Sequence, residues 1–239
     1  MRWWSRIAVP AAILCAVVSA SSAVAQYVGT TAPLFPTLMV PMFPNGNTIP
    51  FSGQSTGGGS TRAATIRTAP PAASLLASGP AQIDVNAADL ATHFPPASRA
   101  RIKTTYAQSF AAFKQLERKL RLTDNDVSNG ISAYIAGNYM ILHGIEVADP
   151  DFVKLVSQVR RGLLQNPGFQ KIPAAQKRRL YEQTAMVGMF MAIAQISRKT
   201  TAEDPNAIRN LQDSSRANLE LVLGKRASNL RIDSEGMHL

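Results

Sequence analysis

The feature that most constrains the fold of this chain is a helical spacing of apolar residues, which runs from residue 84 towards the C-terminus. Between residues 96 and 121 the apolar positions recur three and four apart, which places them on one face of a helix. They are Ile102, Tyr106, Phe110, Phe113, Leu116 and Leu120. Later segments repeat this spacing, and no strand-like alternation extends over more than a few positions. The sequence therefore predicts an all-α fold, a single helical bundle of about five main helices.

Start and stop signals divide this region into helices. Prolines stand where the pattern begins, and glycines stand where it ends. The predicted main helices cover residues 96–121, 122–144, 149–166, 173–199 and 205–224, with Asp149 and Asp204 as caps before proline. A short helical turn capped by Asn86 is expected to precede them and to reach His93.

The helix predicted at 173–199 is apolar on nearly all sides between residues 185 and 196, so it should be the central helix. Its methionines, Met186, Met189 and Met191, are interpreted as core-filling residues rather than a soft metal site. Gly137 and Gly188 lie inside predicted helices, where glycine costs about 1 kcal/mol relative to alanine. A close contact between helices is therefore expected at both glycines.

The composition changes before residue 84. Residues 26–83 contain eight prolines and seven glycines, which is typical of a disordered low-complexity tail. The stretch 33–51 is unusually apolar for such a tail. Two interpretations of it remain open: an extended polyproline-like segment, or docking on the domain or a partner through Leu34, Phe35, Leu38, Met39 and Phe43.

The first 25 residues have the three parts of a secretory signal peptide. Arg2 and Arg6 precede an apolar run at 7–18, and Ala23-Val24-Ala25 forms a cleavage site of the A-x-A type. The run is shorter than the roughly 20 residues that span a bilayer. We therefore predict cleavage after Ala25, a periplasmic or secreted protein, and no transmembrane segment after cleavage. The predicted organisation is a signal peptide at 1–25, a tail at 26–83 and a helical domain at 84–239. Cleavage also removes Cys15, the one cysteine, so the exported domain depends on its core rather than on disulfides.

The chain is basic and its charge is unevenly distributed. Residues 26–83 carry two arginines and no acid, and residues 84–239 carry 21 Lys and Arg against 15 Asp and Glu. Because export excludes nucleic acid as a normal partner, we expect an anionic envelope component or a protein partner. The candidate binding residues form two clusters: Lys177, Arg178 and Arg179, and the pair Arg160 and Arg161. The first lies in the opening turns of a helix, where the macrodipole disfavours cations. The alternative for both is a solvated surface.

The stretch "LTDNDVSNG" at 122–130 resembles the start of a calcium-binding loop. A loop that begins at Asp124 requires glycine at its sixth position and glutamate at its twelfth, where this chain has Asn129 and Ile135. The interpretation that fits better is a capping box, in which Thr123 caps the next helix and Asp126 reaches back.

Catalytic patterns are few. "SAYIAGNY" at 132–139 resembles a segment of lytic transglycosylases, which are helical envelope enzymes that cleave peptidoglycan, but their Glu-Ser and Gly-Leu-Met-Gln motifs do not occur here. A lone general acid would have to be Glu117, Glu146 or Glu182. His93 with Asp89, and His143 near Glu146, do not make a convergent ligand set by spacing alone. Phosphate-loop, zinc-protease and serine-hydrolase motifs do not occur in the sequence. We predict no metal, no cofactor and no catalytic residues.

Three segments together resemble an uncharacterised family of exported bacterial all-helical proteins. They are "LRLTDNDVSNGISAYIAGNY", "SQVRRGLL" and "QKRRLYEQTAMVG". The resemblance covers about residues 86–232 and implies export and a helical fold, with no activity to transfer. The sequence thus favours a non-catalytic binding or interaction module of the cell envelope. The alternative is a peptidoglycan hydrolase with a glutamate general acid.

Overall fold

A computed structural model describes residues 75–198 and 205–239 of the chain. Within these ranges the α-helices are α1 (Ile83–Ala91), α2 (Pro96–Lys119), α3 (Val127–His143), α4 (Asp149–Gln165), α5 (Pro167–Gln170), α6 (Ala174–Ser197) and α7 (Pro205–Leu223). A 3-10 helix follows at Gly224–Asn229, and strands β1 (Arg231–Asp233) and β2 (Gly236–His238) form an antiparallel hairpin. The predicted signal peptide, the tail as far as residue 74, the apolar stretch 33–51 and the Asp204 cap lie outside the described residues.

The all-α prediction is confirmed, and the five main predicted helices correspond to α2, α3, α4, α6 and α7. Their boundaries agree to within a few residues, apart from the start of α3, because the signals that set them are local. Gly144 and Gly224 both have positive φ, which is the left-handed conformation expected after the last helical turn. The short α5, the 3-10 helix and the hairpin have no clear periodic signal and were not predicted.

The structure corrects two details at the helix starts and shows where the packed region begins. Asn86 does not cap α1: it lies inside the helix, buried, and its side chain contacts Glu182. Asp149 is the first residue of α4 rather than its cap, and the cap position is held by Ala148. The packed region also begins before residue 84, because Leu75 is buried in the core.

The core is built around α3 and α6. Every residue of α3 from Val127 to Ile141 is buried, and so is every residue of α6 from Leu180 to Gln195. α6 packs against α1, α2 and α3, so it lies in the centre of the bundle as predicted, and it shares that place with α3, which packs against α4, α6 and α7. Met186, Met189 and Met191 fill this core, as predicted. Among the residues that the structure describes, no helix has both the length and the apolar character needed to cross a membrane.

The contact between α3 and α6 depends on two glycines. A Cβ atom at Gly137 would lie 2.8 Å from the carbonyl carbon of Gly188, and one at Gly188 would overlap the backbone of Ala133 and Tyr134. These neighbours are backbone atoms of packed helices, so they cannot move aside cheaply. The predicted close contact is confirmed, and it explains why glycine is present within two helices.

The hairpin is attached to α4 through the side chain of Gln158. Its Oε1 accepts a hydrogen bond from the Met237 backbone N–H at 2.6 Å, and its Nε2 donates to the Met237 carbonyl at 3.3 Å. The amide group thus takes the place that a neighbouring strand would occupy at the edge of β2. This fixes the C-terminal end of the described chain against α4.

We predict that Gly188→Ala destabilises the protein by about 3 kcal/mol. Alanine favours the helix by about 1 kcal/mol over glycine, but overpacking against the α3 backbone outweighs this gain. Urea unfolding followed by circular dichroism measures the difference. The control is Ala111→Ser at an exposed position of α2, which should change the free energy of unfolding by less than about 0.5 kcal/mol. Unchanged stability of Gly188→Ala would contradict the proposed role of the glycine.

Candidate functional site

Residues Leu75–Gln82 lie across one end of the helical body, and we call this segment the strap. It runs antiparallel to residues 125–127. The Ala77 N–H donates to the Asn125 carbonyl at 2.8 Å, and the Val127 N–H donates to the Leu75 carbonyl at 3.0 Å. Side chains alternate along the strap, with Leu75 and Ala77 buried and Leu76 exposed. The strap therefore joins the end of the predicted tail to the start of α3.

Arg178, in the second turn of α6, holds the strap from the other side. Its Nη2 donates to the carbonyls of Ala77 and Gly79, the latter at 3.0 Å, and its Nη1 donates to Asn125 Oδ1 at 3.1 Å. Only 7% of the residue is exposed. A planar guanidinium with several fixed donors suits this arrangement, in which one side chain binds three acceptors.

Glu182, one turn further along α6, fixes the end of the strap and the start of α1. Both carboxylate oxygens accept from the Gln82 N–H, at 3.1 and 3.2 Å, and Asn86 Nδ2 donates at 2.6 Å. The nearest cationic group is the Arg178 guanidinium, 3.7 Å away. Burial raises the pKa of Glu182, and the hydrogen bonds and Arg178 only partly oppose this effect. Keeping the Glu182 carboxylate ionised in the folded protein therefore costs free energy.

A second buried carboxylate, Glu117 of α2, connects α2, α3 and α6. It accepts hydrogen bonds from Lys114 Nζ at 2.6 Å, from Tyr181 Oη at 2.7 Å and from Asn129 Nδ2 at 2.9 Å. Burial, followed by the negative charge of Glu117, raises the pKa of Tyr181 far above its usual value. Tyr181 is therefore a neutral donor, and Glu117 is enclosed by its partners.

Asp126 is the cap of α3. Its Oδ1 accepts from the Ser128 N–H at 2.9 Å and from the Ser128 hydroxyl at 2.6 Å, and its other oxygen pairs with Arg160 of α4. The predicted capping box is therefore wrong: Thr123 is not the cap, although its carbonyl accepts from Asn129 Nδ2 at 2.8 Å. Asp126 replaces it because it stands directly before the first helical residue, where its side chain reaches the free N–H groups.

The oxygens that suggested a calcium loop all have protein partners. Asp124 pairs with Lys114, Asp126 pairs with Arg160, and the Ser128 hydroxyl donates to Asp126. Across residues 75–198 and 205–239, no group of three or more His, Cys, Asp or Glu side chains is arranged to hold a metal ion.

The five predicted anion-binding residues are placed differently from one another. Arg178 is part of the strap network, and Arg179 pairs with Asp89. Lys177 is buried with its ammonium 5.0 Å from the centre of the Phe169 ring, and burial lowers its pKa. Arg160 binds Asp126 with 45% of its side chain exposed, and Arg161 is exposed next to it. The structure thus does not bring the five together as one surface, and their binding of an anionic partner stays a prediction.

The remaining candidate acids and histidines do not converge. Glu146 lies half-buried in the connection between α3 and α4. His93 follows α1 on the surface, and Asp89, its expected partner, is hydrogen-bonded to Arg179 and Gln183. Burial acts to raise the Asp89 pKa, but these hydrogen bonds and the charge of Arg179 outweigh it and hold the pKa below its usual value.

A cavity of about 320 Å³ lies where the C-terminal turn of α3 meets α7 and the 3-10 helix. His143 lines it, with its ring centroid 4.5 Å from that of Tyr139 and with a pKa lowered by burial. The other lining residues are Leu142, Arg216, Leu219, Glu220, Ala227 and Ser228. Glu117, Glu146 and Glu182 do not line this cavity.

Sequence reasoning missed the strap network, although it contains the residues of two quoted segments. "LTDNDV" supplies Asn125 and Asp126, and "QKRRLYEQ" supplies Arg178 and Glu182. The strap itself, "LLASGPAQ", has the composition of the preceding tail. The one signal it offers is the apolar run of Leu75, Leu76 and Ala77, which is too short to predict a paired segment.

The comparisons with known proteins agree with the family resemblance of the sequence. A family model described as a family of unknown function (DUF6683) matches residues 6–239. The resemblance to an uncharacterised family is therefore confirmed, and the match is longer than the expected 86–232 because it includes the N-terminal region. The search of curated proteins and the search of solved structures each returned no match.

We predict that Arg178→Met destabilises the protein by about 3 kcal/mol. The change leaves the buried Glu182 carboxylate without its cation and the strap carbonyls without their donor. Urea unfolding measures the stability, and limited proteolysis with mass spectrometry should detect faster cleavage within residues 75–82. Arg101→Met, at an exposed position of α2, is the control and should leave both readouts unchanged. If cleavage of the strap is not faster in Arg178→Met, Arg178 does not hold the strap in place.

We predict a pH-dependent stability difference between the wild type and Glu182→Gln. Because the folded-state pKa of Glu182 is raised, folding takes up a proton, and the wild type gains stability relative to the variant as pH falls. The gain begins at the raised pKa and is complete below the unfolded value of about 4.3. Above the raised pKa the difference is constant. Chemical unfolding of both proteins at a series of pH values measures this difference in the free energy of unfolding. If the free energies of the two proteins change with pH in parallel, the raised pKa is contradicted.

Proposed function

From the premise that the chain belongs to the family of unknown function DUF6683, we propose that it is an exported, non-catalytic binding or interaction module of the bacterial cell envelope. The observation that carries the proposal is the strap network. The quoted segments that contribute to the family resemblance supply ionisable side chains that bind each other and the strap. Their chemistry is used to hold the chain in place, which is the arrangement expected of a scaffold rather than of a reactive centre.

The sequence of the first 25 residues supports export. The positive start, the short apolar run and the Ala23-Val24-Ala25 site are the features of a cleavable signal peptide. In the periplasm or outside the cell, a protein without cysteines requires a body held by packing and hydrogen bonds. The buried core around α3 and α6 is consistent with that requirement.

One observation favours the alternative of a peptidoglycan hydrolase, namely the raised pKa of Glu182, since a general acid must hold its proton near neutral pH. The geometry argues against it. Glu182 is fully buried, and both of its oxygens accept hydrogen bonds from the Gln82 N–H. A substrate would have to displace the strap before it could reach the carboxyl group.

The proposal predicts partner capture without turnover. The full-length gene, expressed with a C-terminal tag, should yield envelope-fraction protein that begins at Gln26, and chemical cross-linking should recover specific partners. The same purified protein should release no soluble fragments from peptidoglycan sacculi, with lysozyme as the positive control for the assay. Release of fragments that is lost in Glu182→Gln would overturn the proposal in favour of the hydrolase. Protein confined to the cytoplasm with an intact N-terminus would overturn export.

A further inference from the structure

The segment between Asp151 and Glu182 has an unusual charge composition. Residues 152–181 contain seven Lys and Arg residues and no Asp or Glu. In the fold they form most of α4, all of α5 and the first turns of α6. These elements meet near the strap, because Arg160 of α4 contacts Asp126 and Arg178 of α6 contacts Asn125. Residues 152–181 therefore bring cations and no carboxylates to the end of the body that the strap crosses.

The seven cations divide into those used inside the fold and those left on its surface. Lys177, Arg178 and Arg179 have the internal contacts described above, and Lys154 donates to the Ser234 carbonyl in the hairpin turn. Arg161 and Lys171 are exposed, and neither has a carboxylate of the described residues within ion-pair distance. Arg160 lies beside them, half of it exposed although it binds Asp126.

An exposed apolar side chain lies one helical turn after Arg160 and Arg161. Leu164, in the last turn of α4, is 39% exposed, and its carbonyl accepts a hydrogen bond from Gln170 Nε2 at 3.0 Å. This bond holds α5 against the end of α4 and keeps Lys171, the next residue, near that surface. We call the surface of Arg160, Arg161, Leu164 and Lys171 the basic end.

Three acids around the strap are paired with cations, and one of those cations, Arg160, belongs to the basic end itself, so this pair adds no net charge to it. Asp126 is buried against Arg160, Asp124 pairs with Lys114, and Asp89 pairs with Arg179. The chain that enters at the strap adds no acid either, because residues 26–74 carry Arg62 and Arg67 and no Asp or Glu. That segment is rich in apolar residues at 33–51 and joins the body at Leu75, whose neighbour Leu76 pairs with Asp126.

We propose that the basic end is a docking surface for an anionic lipid membrane, an inference that rests on the proposed function and names its partner class. Lipid phosphates attract exposed Lys and Arg side chains, and the interface beneath them accepts an apolar side chain such as Leu164. A soluble acidic polymer would match the cations but would leave Leu164 in water. The combination of cations with an exposed leucine therefore favours lipid.

The test is sedimentation of the chain from Gln26 to Leu239 with vesicles. Vesicles of phosphatidylcholine with phosphatidylglycerol should bind it, and vesicles of phosphatidylcholine alone should not. Binding should weaken as salt is raised, because screening shortens the reach of the surface potential. The double variant R161S/K171S should bind roughly 10- to 30-fold more weakly, the effect of two cations near an anionic surface.

The matched control is R216S/K225S, which removes the same charge at the other end of α3. Arg216 lines the cavity beside His143, and Lys225 is exposed on the 3-10 helix that forms a wall of that cavity. This variant should bind vesicles as the wild type does. Leu164→Ser should weaken binding to vesicles and leave binding to dextran sulfate, a soluble polyanion, unchanged. All five positions are exposed, and circular dichroism checks that the variants fold.

Four results would overturn the inference. They are no binding to the phosphatidylglycerol vesicles, equal losses in the two double variants, wild-type binding of Leu164→Ser, and binding to dextran sulfate without binding to vesicles. The last result would assign the basic end to an acidic polymer. Recovery of a cross-linked envelope protein without vesicle binding would remove the membrane inference and leave the proposed function intact. Turnover of sacculi would remove the proposed function whatever the vesicles show.

Discussion

The contact between α3 and α6 at Gly137 and Gly188 is the constraint on which the rest of the structure depends. Because neither glycine has a Cβ, the two helix backbones touch, and their relative position is fixed by hard contacts rather than by adaptable side chains. Gly130 extends this interface towards the N-terminal ends of both helices, where a Cβ would lie 2.7 Å from the Tyr181 carbonyl oxygen. Asp126, at the start of α3, is thereby placed beside the opening turns of α6. The strap can only lie where these two helix ends meet.

The polar groups at that junction have to be satisfied because they are buried. A carboxylate away from water is costly unless cations and donors surround it, and Glu117 has three donors around it. Glu182 has donors from the strap and α1 but a more distant cation. These groups do not fully offset the burial of the carboxylate, so its pKa is raised. Such networks add little net stability compared with an apolar core, but they tolerate only one geometry. The segments "LTDNDV" and "QKRRLYEQ" therefore specify where the strap lies more than they strengthen the fold.

The helices could be predicted from the sequence because their signals are local, whereas the site depends on distant pairings. Gly188 could be assigned a close contact because glycine within a helix requires a reason. The prediction that Thr123 caps α3 is wrong because Thr123 and Asp126 both have capping side chains, and the path of the chain after α2 decides between them. Arg178 was grouped with Lys177 and Arg179 by sequence, although α6 directs them to different partners. Its acceptors on the strap are about 100 residues away, and no periodicity connects positions at that separation.

The strap changes how the N-terminal region relates to the body. By composition residues 26–83 are one low-complexity segment, yet the strap near its end is paired with residues 125–127, bound by Arg178 and partly buried. The strap therefore fixes the position at which the N-terminal region joins the helical body, next to Arg160 and the basic end. The family match also begins at residue 6, so the N-terminal region belongs to what the family shares. An account of the function that considers the helical body alone would leave out the part of the chain that the strap network is built to hold.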